Sequence, residues 1–325
     1  MYLLVLLLAL VSCSGRLTYR SAEGKVYGTF FHVSYAADKD LRREIRAEME
    51  RVNASLSMFN PVSIISRINR NESDSTDEVF RRMYVEAVEV NRQTEGAFDI
   101  TVAPLVNAWG FGYEQEVFPD SARIDSLRML VGMEKLLLRD GRLLKRDGRM
   151  KLDAGSIAKG LGVDLVAEYL ERSGVKDYMV EIGGEVRVKG NSPKGRPWRI
   201  GIDRPEDDPA AQARELQLVV GLTGGALATS GNYRNFYFRD HQKYAHTIHP
   251  TTGYPVQTEV ISASVYAPTC MEADAYATAF MVVGLEKARE IIHRHDDLEG
   301  CMIYQEGEEL RMWLSEGLEK QVCGR

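Results

Sequence analysis

Ten residues in the C-terminal half of the chain combine side chains that could carry out acid–base chemistry. The stretch from Ala245 to Tyr254 reads AHTIHPTTGY and contains histidines, threonines, a proline and a glycine. Such a composition can hold an imidazole and several hydroxyls on a turn of fixed backbone geometry, which is typical of an active site. An ordinary polar hairpin loop has the same punctuation, so other stretches must decide between the two readings.

A second stretch, Lys151 to Gly160, could bind an anion. Its sequence is LDAGSIAKG after Lys151, and apolar residues then recur at helical spacing as far as Gly174. The spacing predicts a helix that begins near Gly155 or Ser156, whose unpaired N–H groups and positive dipole end attract negative charge. Lys159 would lie one turn inside it, so a pyrophosphate could dock there. Simple capping of the helix by Asp153 and Ser156 is the structural alternative.

A third stretch could bind a hard cation. Thr269 and Glu272 form a capping-box pattern at the start of a helix predicted over 273–295. Asp274 and Thr278 then lie four residues apart on one helix face, and their oxygens suit Mg²⁺. The pair gains weight only if Asp274 and Ser156 converge in space, because this spacing also occurs without a metal.

The remaining elements must position these three stretches. We expect an α+β fold with mixed, largely antiparallel sheets and packed helices. The spacing predicts a strand over 26–35, helices over 38–53 and 77–94, a short extended piece over 97–102 that carries Asp99 and Thr101, a loop near a ligand over 105–112, a Gly-Gly hairpin over 178–189, and strands over 198–203, 215–222, 233–238 and 260–266. Phe59 precedes Asn-Pro at a turn, where an aromatic ring either packs over the edge of the core or faces a flat ligand; from the local sequence we expect packing.

The N-terminus predicts export and lipidation. Residues 1–12 read as a signal peptide, residues 13–24 as a polar tether and residues 25–325 as the folded domain. Leu10-Val11-Ser12-Cys13 resembles the lipobox of bacterial lipoproteins, in which the cysteine carries the lipid, although no Lys or Arg precedes the apolar run. A buried N-terminal strand is the alternative, but the continuous Leu/Val run is poor strand patterning.

Composition excludes other classes of function. The chain has 325 residues, 44% of them apolar, and a formal charge of −6 without a basic cluster, so nucleic acid is not an expected partner. Cys270, Cys301 and Cys323 remain after Cys13, and no CxxC spacing occurs. Thiolate metal sites and dithiol redox chemistry are therefore poorly supported, and any metal should have oxygen ligands.

Several ordered motifs together resemble the ApbE family of FAD:protein FMN transferases. They are YGTFFHV, LSMFNPVSIISRIN, TEGAFDITVAPL, LDAGSIAKG, EIGGEVRVKG, ATSGNYRN, HTIHPTTG and EADAYAT, and they extend from Gly28 to Asp274 and beyond. The resemblance implies an ApbE-like, T-fold-related architecture. It also implies a Mg²⁺-dependent enzyme that transfers the FMN half of FAD to a threonine of an acceptor protein through a phosphoester bond, releasing AMP.

The resemblance assigns roles by position. His246 matches the family's proposed general base, and Ser156, Asp274 and Thr278 match metal-binding positions. The matches to FAD-binding positions are Tyr27, Phe59, Ala97, Phe98, Asp99, Asp153, Lys159 and Ile248. The chain departs from the family pattern at Tyr27, where Met is common, at Ala277, where some members carry an Asp that contributes to the metal site, and at His249, where Asp is common.

The implied partners are FAD and an acceptor protein, expected to be a membrane-associated redox subunit. The implied location is the periplasmic side of the inner membrane, held by the lipid anchor. Two other readings stay open on the sequence. A FAD pyrophosphatase would use the same contacts with water as the nucleophile, and a flavin-carrier lipoprotein would need no base.

Overall fold

The computed structural model describes residues 18–114, 118–205, 215–233, 236–239 and 242–324. The predicted signal peptide and Cys13 lie outside the described residues. Within them the strands are β1 (Tyr19–Val26), β2 (Thr29–Ala36), β3 (Leu136–Arg139), β4 (Arg142–Lys145), β5 (Tyr178–Ile182), β6 (Glu185–Lys189), β7 (Trp198–Asp203), β8 (Leu216–Leu222), β9 (Ala226–Gly231), β10 (Phe236–Arg239), β11 (Gln242–Ala245), β12 (Val260–Ala267), β13 (Glu299–Glu306), β14 (Glu309–Leu314) and β15 (Val322–Gly324). The α-helices are α1 (Arg42–Leu56), α2 (Ile64–Asn69), α3 (Glu78–Gln93), α4 (Ala103–Ala108), α5 (Ser121–Arg128), α6 (Ala158–Arg172), α7 (Cys270–Arg294) and α8 (Glu316–Glu319).

An eight-stranded sheet organises the described chain. Its strand order is β1-β2-β5-β6-β9-β12-β13-β14, and neighbouring strands run antiparallel. A three-stranded sheet of order β15-β8-β7 and two hairpins, β3-β4 and β10-β11, complete the strands that the structure describes. The α+β class with antiparallel sheets is therefore confirmed.

Two apolar cores cover the faces of the large sheet. On one face α6 packs against β5 and β6, α7 packs against β9 and β12, and the two helices contact each other. On the other face the three-stranded sheet contributes Trp198, Ile200 and Val220 to a cluster with Val186 and Ile303 of the large sheet. The sheet is thus buried on both sides, so its strand register is strongly specified. Of the helices that the structure describes, none has the length and apolarity needed to cross a bilayer.

Several local predictions are confirmed. Asp77 accepts a hydrogen bond from the Phe80 N–H at 2.7 Å and begins α3, as the pattern over 77–94 indicates. Thr269 accepts one from the Glu272 N–H at the start of α7. The Gly183-Gly184 turn joins β5 and β6 with φ of 67° and 108°, values that favour glycine. These signals are local in sequence, which is why the sequence reveals them.

Four local predictions were wrong. The predicted single strand over 26–35 is two paired strands with a turn at Tyr27-Gly28, so Tyr19–Val26 belongs to the sheet and not to the predicted tether over 13–24. The piece predicted to be extended contains a 3₁₀ turn over Ile100–Val102. Part of the predicted loop over 105–112 is the helix α4. The side chain of Phe59 is 77% exposed, so it does not pack over the core.

The start of α6 also differs from the prediction. The helix begins at Ala158 with Ile157 at its N-cap and no side-chain capping bond, while Gly155 to Ile157 form a turn before it. Asp153 closes that turn by accepting a hydrogen bond from the Gly155 N–H at 2.7 Å. All three residues expected to start or cap the helix, Asp153, Gly155 and Ser156, therefore lie just outside it.

Candidate active site

A cavity of about 430 Å³ lies where the start of α6, the first turns of α7, β9 and the segment after β11 meet. Eleven of the twelve residues that the sequence singles out line it: Phe59, Ala97, Phe98, Asp99, Asp153, Ser156, Lys159, His246, Ile248, Asp274 and Thr278. These residues come from segments that span more than two hundred positions of the chain. The fold thus brings the three chemically promising stretches to one place.

Tyr27 is the exception among the predicted residues. It sits at the turn between β1 and β2 with φ of 50°, and its hydroxyl donates a hydrogen bond to the Met49 carbonyl at 2.7 Å. It lines a neighbouring cavity of about 590 Å³, which shares Met58, Phe59 and Lys159 with the first. Tyr27 is therefore next to the main cavity but not on its wall.

The junction of α6 and α7 places the predicted cation-binding carboxylate. Asp274 Oδ2 accepts a hydrogen bond from the Gly160 N–H at 3.0 Å, which ties the two helices together. A Cβ atom on Gly160 would lie 2.3 Å from the Cys270 carbonyl oxygen, so only glycine allows this approach. Thr278 lies one turn after Asp274, and its hydroxyl oxygen is 3.1 Å from that of Ser230 on β9.

The donor set agrees with a hard cation. Ser156, Asp274 and Thr278 offer hydroxyl and carboxylate oxygens on one cavity wall, and Mg²⁺ prefers such ligands. No cluster of three or more His, Cys, Asp or Glu residues is found in the described part of the chain. A cation bound here would therefore need further oxygen ligands from the molecule that occupies the cavity. Ala277 is fully buried in the core beside this wall.

Lys159 lies between two carboxylates. Its ammonium donates a hydrogen bond to Glu185 Oε1 and lies 3.7 Å from Asp274 Oδ1. Burial lowers the pKa of Lys159, but the charges of Asp274 and Glu185 outweigh burial and raise it above its ordinary value. Burial raises the pKa of Glu185 to about 7, although the Lys159 ammonium opposes this shift. The amine therefore stays protonated at neutral pH and supplies positive charge to the cavity.

Two further carboxyls line the cavity. Asp99 accepts a hydrogen bond from the Thr101 N–H at 2.7 Å and begins the 3₁₀ turn that follows it. Burial raises the pKa of Asp99 to about 6, and the hydrogen bonds from Thr101 act in the opposite direction. Burial also raises the pKa of Asp153. Both carboxyls thus hold a proton more readily than an exposed Asp.

His246 follows β11 and lines the cavity. Its ring centroid is 6.4 Å from that of Phe111, in an edge-on arrangement. The turn after it is held by a hydrogen bond from the Gly253 N–H to the His249 carbonyl at 2.8 Å and by one from Trp109 Nε1 to the Gly253 carbonyl at 2.8 Å. The segment that carries His246 is therefore fixed at its C-terminal side.

His249 has a structural role in the same turn. Its Nδ1 accepts a hydrogen bond from the Thr251 N–H at 3.2 Å, and the residue does not line the cavity. Burial lowers the pKa of His249. In the described structure His249 therefore belongs to the turn and not to the cavity wall.

The sequence did not assign several residues of the cavity wall. Glu185 stands inside the EIGGE motif but received no role, because the hairpin pattern alone does not reveal which partner a charged residue meets. The others are Met58, Val102, Val106, Phe111, Gly112, Tyr113, Gly155, Gly183, Thr229, Ser230, Gly231, Thr247, Pro250 and Val282. Val106, Phe111 and Gly112 fall in the segment 105–112, which was predicted to lie near a ligand, whereas most of the others lie within or beside the quoted motifs.

Comparison with known proteins gives the family. A sequence model of the ApbE family matches residues 27–302. The FAD:protein FMN transferase of Haemophilus influenzae is 38% identical over 306 residues, which are 89% of this chain and 88% of that protein. The protein of the same name from Vibrio cholerae is 38% identical over 296 residues, 88% of this chain and 87% of its own length.

A solved structure agrees with these sequence matches. The flavin transferase ApbE from Vibrio cholerae superposes with a TM-score of 0.84 at 34% identity, covering 94% of this chain and 99% of the other. The fold is therefore that of the ApbE flavin transferases. The chain belongs to the ApbE family, which confirms the resemblance seen in its motifs.

Proposed function

We propose that this chain transfers the FMN half of FAD to a threonine hydroxyl of an acceptor protein through a phosphoester bond, releasing AMP, in a Mg²⁺-dependent reaction. The relatives are named FAD:protein FMN transferases, and this supports the overall activity. The observation that carries the proposal is the convergence of His246, Lys159 and Asp274 on one cavity. Those three groups are the base, the fixed cation and the metal-binding carboxylate that the transfer requires.

The cavity offers separate surfaces for the two parts of FAD. Phe59, Phe98 and Ile248 supply apolar and aromatic wall for a ring system. The ammonium of Lys159 supplies the positive charge that a pyrophosphate needs. Ser156, Asp274 and Thr278 would hold Mg²⁺, which when bound stabilises the negative charge that develops on the phosphate oxygens.

His246 has the role of general base. It accepts the proton of the threonine hydroxyl as that oxygen forms a bond to the phosphorus of the FMN half. The bond from this phosphorus to the oxygen shared with the AMP phosphate breaks, and its electron pair stays on the AMP. Lys159 lines the same cavity, and its ammonium would stabilise the negative charge that develops on the leaving group.

The location is part of the proposal. Cys13 would carry a lipid after removal of residues 1–12, which would anchor the domain on the periplasmic side of the inner membrane. An acceptor within reach of the anchored domain would itself be periplasmic or membrane-associated. A redox subunit that uses covalent FMN fits this description.

The test replaces His246 by Ala and measures products and binding together. Flavinylation of a threonine-bearing acceptor should fall by at least about 10² at saturating FAD and Mg²⁺, because general-base catalysis typically contributes 10² to 10⁴. FAD affinity should stay within about twofold, since the apolar and cationic walls remain. His249→Ala is the matched control, because it removes an imidazole from the same turn without touching the cavity.

The products separate the three readings. In-gel flavin fluorescence on the denatured acceptor reports transfer, and quantified AMP and free FMN report hydrolysis. The wild-type protein should give AMP and acceptor-bound FMN in equal amounts. AMP with all FMN free would identify a pyrophosphatase, and neither product would identify a flavin carrier; either result would reject the transferase.

A further inference from the structure

Glu185 is a buried carboxylate with one oxygen that the described contacts leave unpaired. Its side chain is 4% exposed, and Oε2 has no hydrogen-bond partner. Leaving a buried acceptor unpaired costs free energy, so such an oxygen needs a reason beyond packing. The residue lines the active-site cavity directly after the turn at Gly183-Gly184, and a side chain on Gly183 would press on Oε2 at 3.3 Å.

Among the described residues, the side chain that hydrogen-bonds to Glu185 is Lys159, through its ammonium. Glu185 Oε1 accepts a hydrogen bond from Nζ, whereas Asp274 Oδ1 lies at 3.7 Å from the same nitrogen, beyond hydrogen-bond distance. Lys159 stands in the first turn of α6, and Glu185 begins β6. The hydrogen bond therefore spans from helix to sheet and holds the end of a flexible side chain at one point of the cavity.

Asp274 is the carboxylate that Lys159 would otherwise reach. Its Oδ2 is already bound by the Gly160 N–H, so Oδ1 is the oxygen left to face an incoming cation. A lysine released from Glu185 needs to move by less than 1 Å to hydrogen-bond with Oδ1, given the present 3.7 Å and the ordinary length of about 2.8 Å. The resulting ion pair would compete directly with Mg²⁺ for that oxygen.

We propose that Glu185 is a positioning residue that draws the Lys159 ammonium away from Asp274, keeping Lys159 directed at the pyrophosphate and Asp274 open to the cation. This rests on the proposed function, because it assumes that the cavity binds FAD with Mg²⁺. Glu185 acts through Lys159 and touches neither the reacting phosphorus nor the metal. In the orientation that directs Oε1 at the Lys159 ammonium, Oε2 is left without a hydrogen-bond partner, which is unfavourable for a buried oxygen.

The test is a double-mutant cycle in which FAD binding is measured. Flavin fluorescence reports the binding over a range of Mg²⁺ concentrations, and no acceptor protein is present. Glu185→Gln should raise the Mg²⁺ concentration for half-maximal binding by about tenfold, because the freed lysine then occupies Asp274. Lys159→Met should weaken FAD binding without raising that concentration. Adding Glu185→Gln to Lys159→Met should then change neither quantity by more than about twofold.

The cycle distinguishes positioning from the alternatives. If Glu185→Gln raises the Mg²⁺ requirement equally in the Lys159→Met background, Glu185 acts directly on the cation and the proposal is overturned. An unchanged Mg²⁺ requirement in the single variant overturns it as well. Glu181→Gln is the matched control, since it removes a carboxylate from the same hairpin, opposite Val186, and should leave the requirement unchanged.

The second readout is the steady-state kinetics of transfer, in which the KM for FAD and kcat are measured separately. At saturating FAD and Mg²⁺, transfer by Glu185→Gln should return to within about twofold of the wild-type kcat, whereas a general structural defect would not be rescued by Mg²⁺. Should Glu185→Gln fail to fold, Glu185→Asp keeps the charge, withdraws the oxygen from Lys159 and enters the same cycle. A wild-type protein that binds FAD but transfers no FMN would reject the proposed function while the binding cycle still decides the role of Glu185.

Discussion

Asp164 holds the start of α7, and its removal should be costly. The carboxylate is fully buried on α6. Its two oxygens accept hydrogen bonds from the Cys270 N–H at 2.9 Å, the Met271 N–H at 2.8 Å and Arg187 Nη1 at 2.6 Å. These contacts pair the buried carboxylate with the largely buried guanidinium of Arg187, whose side chain is 16% exposed, and satisfy two donors at the N-terminus of the helix that carries Asp274.

We expect Asp164→Ala to lower the free energy of unfolding by about 3 to 5 kcal/mol, the usual cost of leaving one member of a buried ion pair without its partner. The lower part of that range is favoured, because Glu171 lies 3.7 Å from Arg187 and offers a second partner. With a urea slope of up to about 3 kcal/mol/M, the midpoint should fall by at least about 1 M at unchanged slope.

Equilibrium urea denaturation followed by circular dichroism measures this change. Glu168→Ala is the control on the same helix, because its ion pair with Arg82 is nearly a third exposed and should contribute at most about 1 kcal/mol. Asp164→Asn keeps the shape but not the charge, so its loss in the free energy of unfolding should lie between those of Asp164→Ala and Glu168→Ala. If Asp164→Ala costs no more than Glu168→Ala, the network does not hold α7 and the reasoning is refuted.

Three further predictions concern the metal, pH and location. Asp274→Ala should abolish the stimulation of FAD binding by millimolar Mg²⁺, measured by flavin fluorescence; wild-type stimulation in this variant would exclude the predicted cation site. Because burial raises the pKa of Asp99 from 3.8 to about 6, the folded state binds that proton more tightly, so the unfolding free energy should fall by up to roughly 2 kcal/mol between pH 4 and pH 6. Asp99→Asn should flatten this slope in urea titrations at several pH values, and an unaltered slope would assign it to other groups. Cys13→Ser should move the protein from the membrane to the soluble fraction on cell fractionation, whereas retention on the membrane would contradict lipidation.

Helix caps and tight turns follow directly from the amino-acid sequence, because each depends on neighbouring residues. The cap at Asp77, the capping pattern at Thr269 and the turn at Gly183-Gly184 all depend on residues within a few positions of one another, so the pattern predicts them directly. The motifs also gave the family and placed His246, Lys159 and Asp274 among the candidate residues before any distance was known. Eleven of twelve candidates do line one cavity.

Predictions failed where long-range contacts override local pattern. Residues 19–24 looked like tether, because a polar strand at the edge of a sheet has little apolar alternation, yet they belong to β1, which pairs along its length with β2. Phe59 looked like a core aromatic but is exposed between two cavities. The position of Tyr27 beside the main cavity also depends on a long-range contact, the hydrogen bond from its hydroxyl to the Met49 carbonyl, and its match to a FAD-binding position stays a prediction.

The contacts between charged side chains follow from the tertiary structure and not from the local sequence. Lys159 and Asp274 are 115 residues apart in sequence, and the approach depends on the absence of a side chain at Gly160, which lets α6 and α7 come into backbone contact. Glu185 joins them because the hairpin folds back beside α6, a result of sheet packing that no periodicity encodes. The energy of an ion pair depends on the distance between its charges in space. In this protein the packing of α6 and α7 against the sheet sets the distances between Lys159, Asp274 and Glu185.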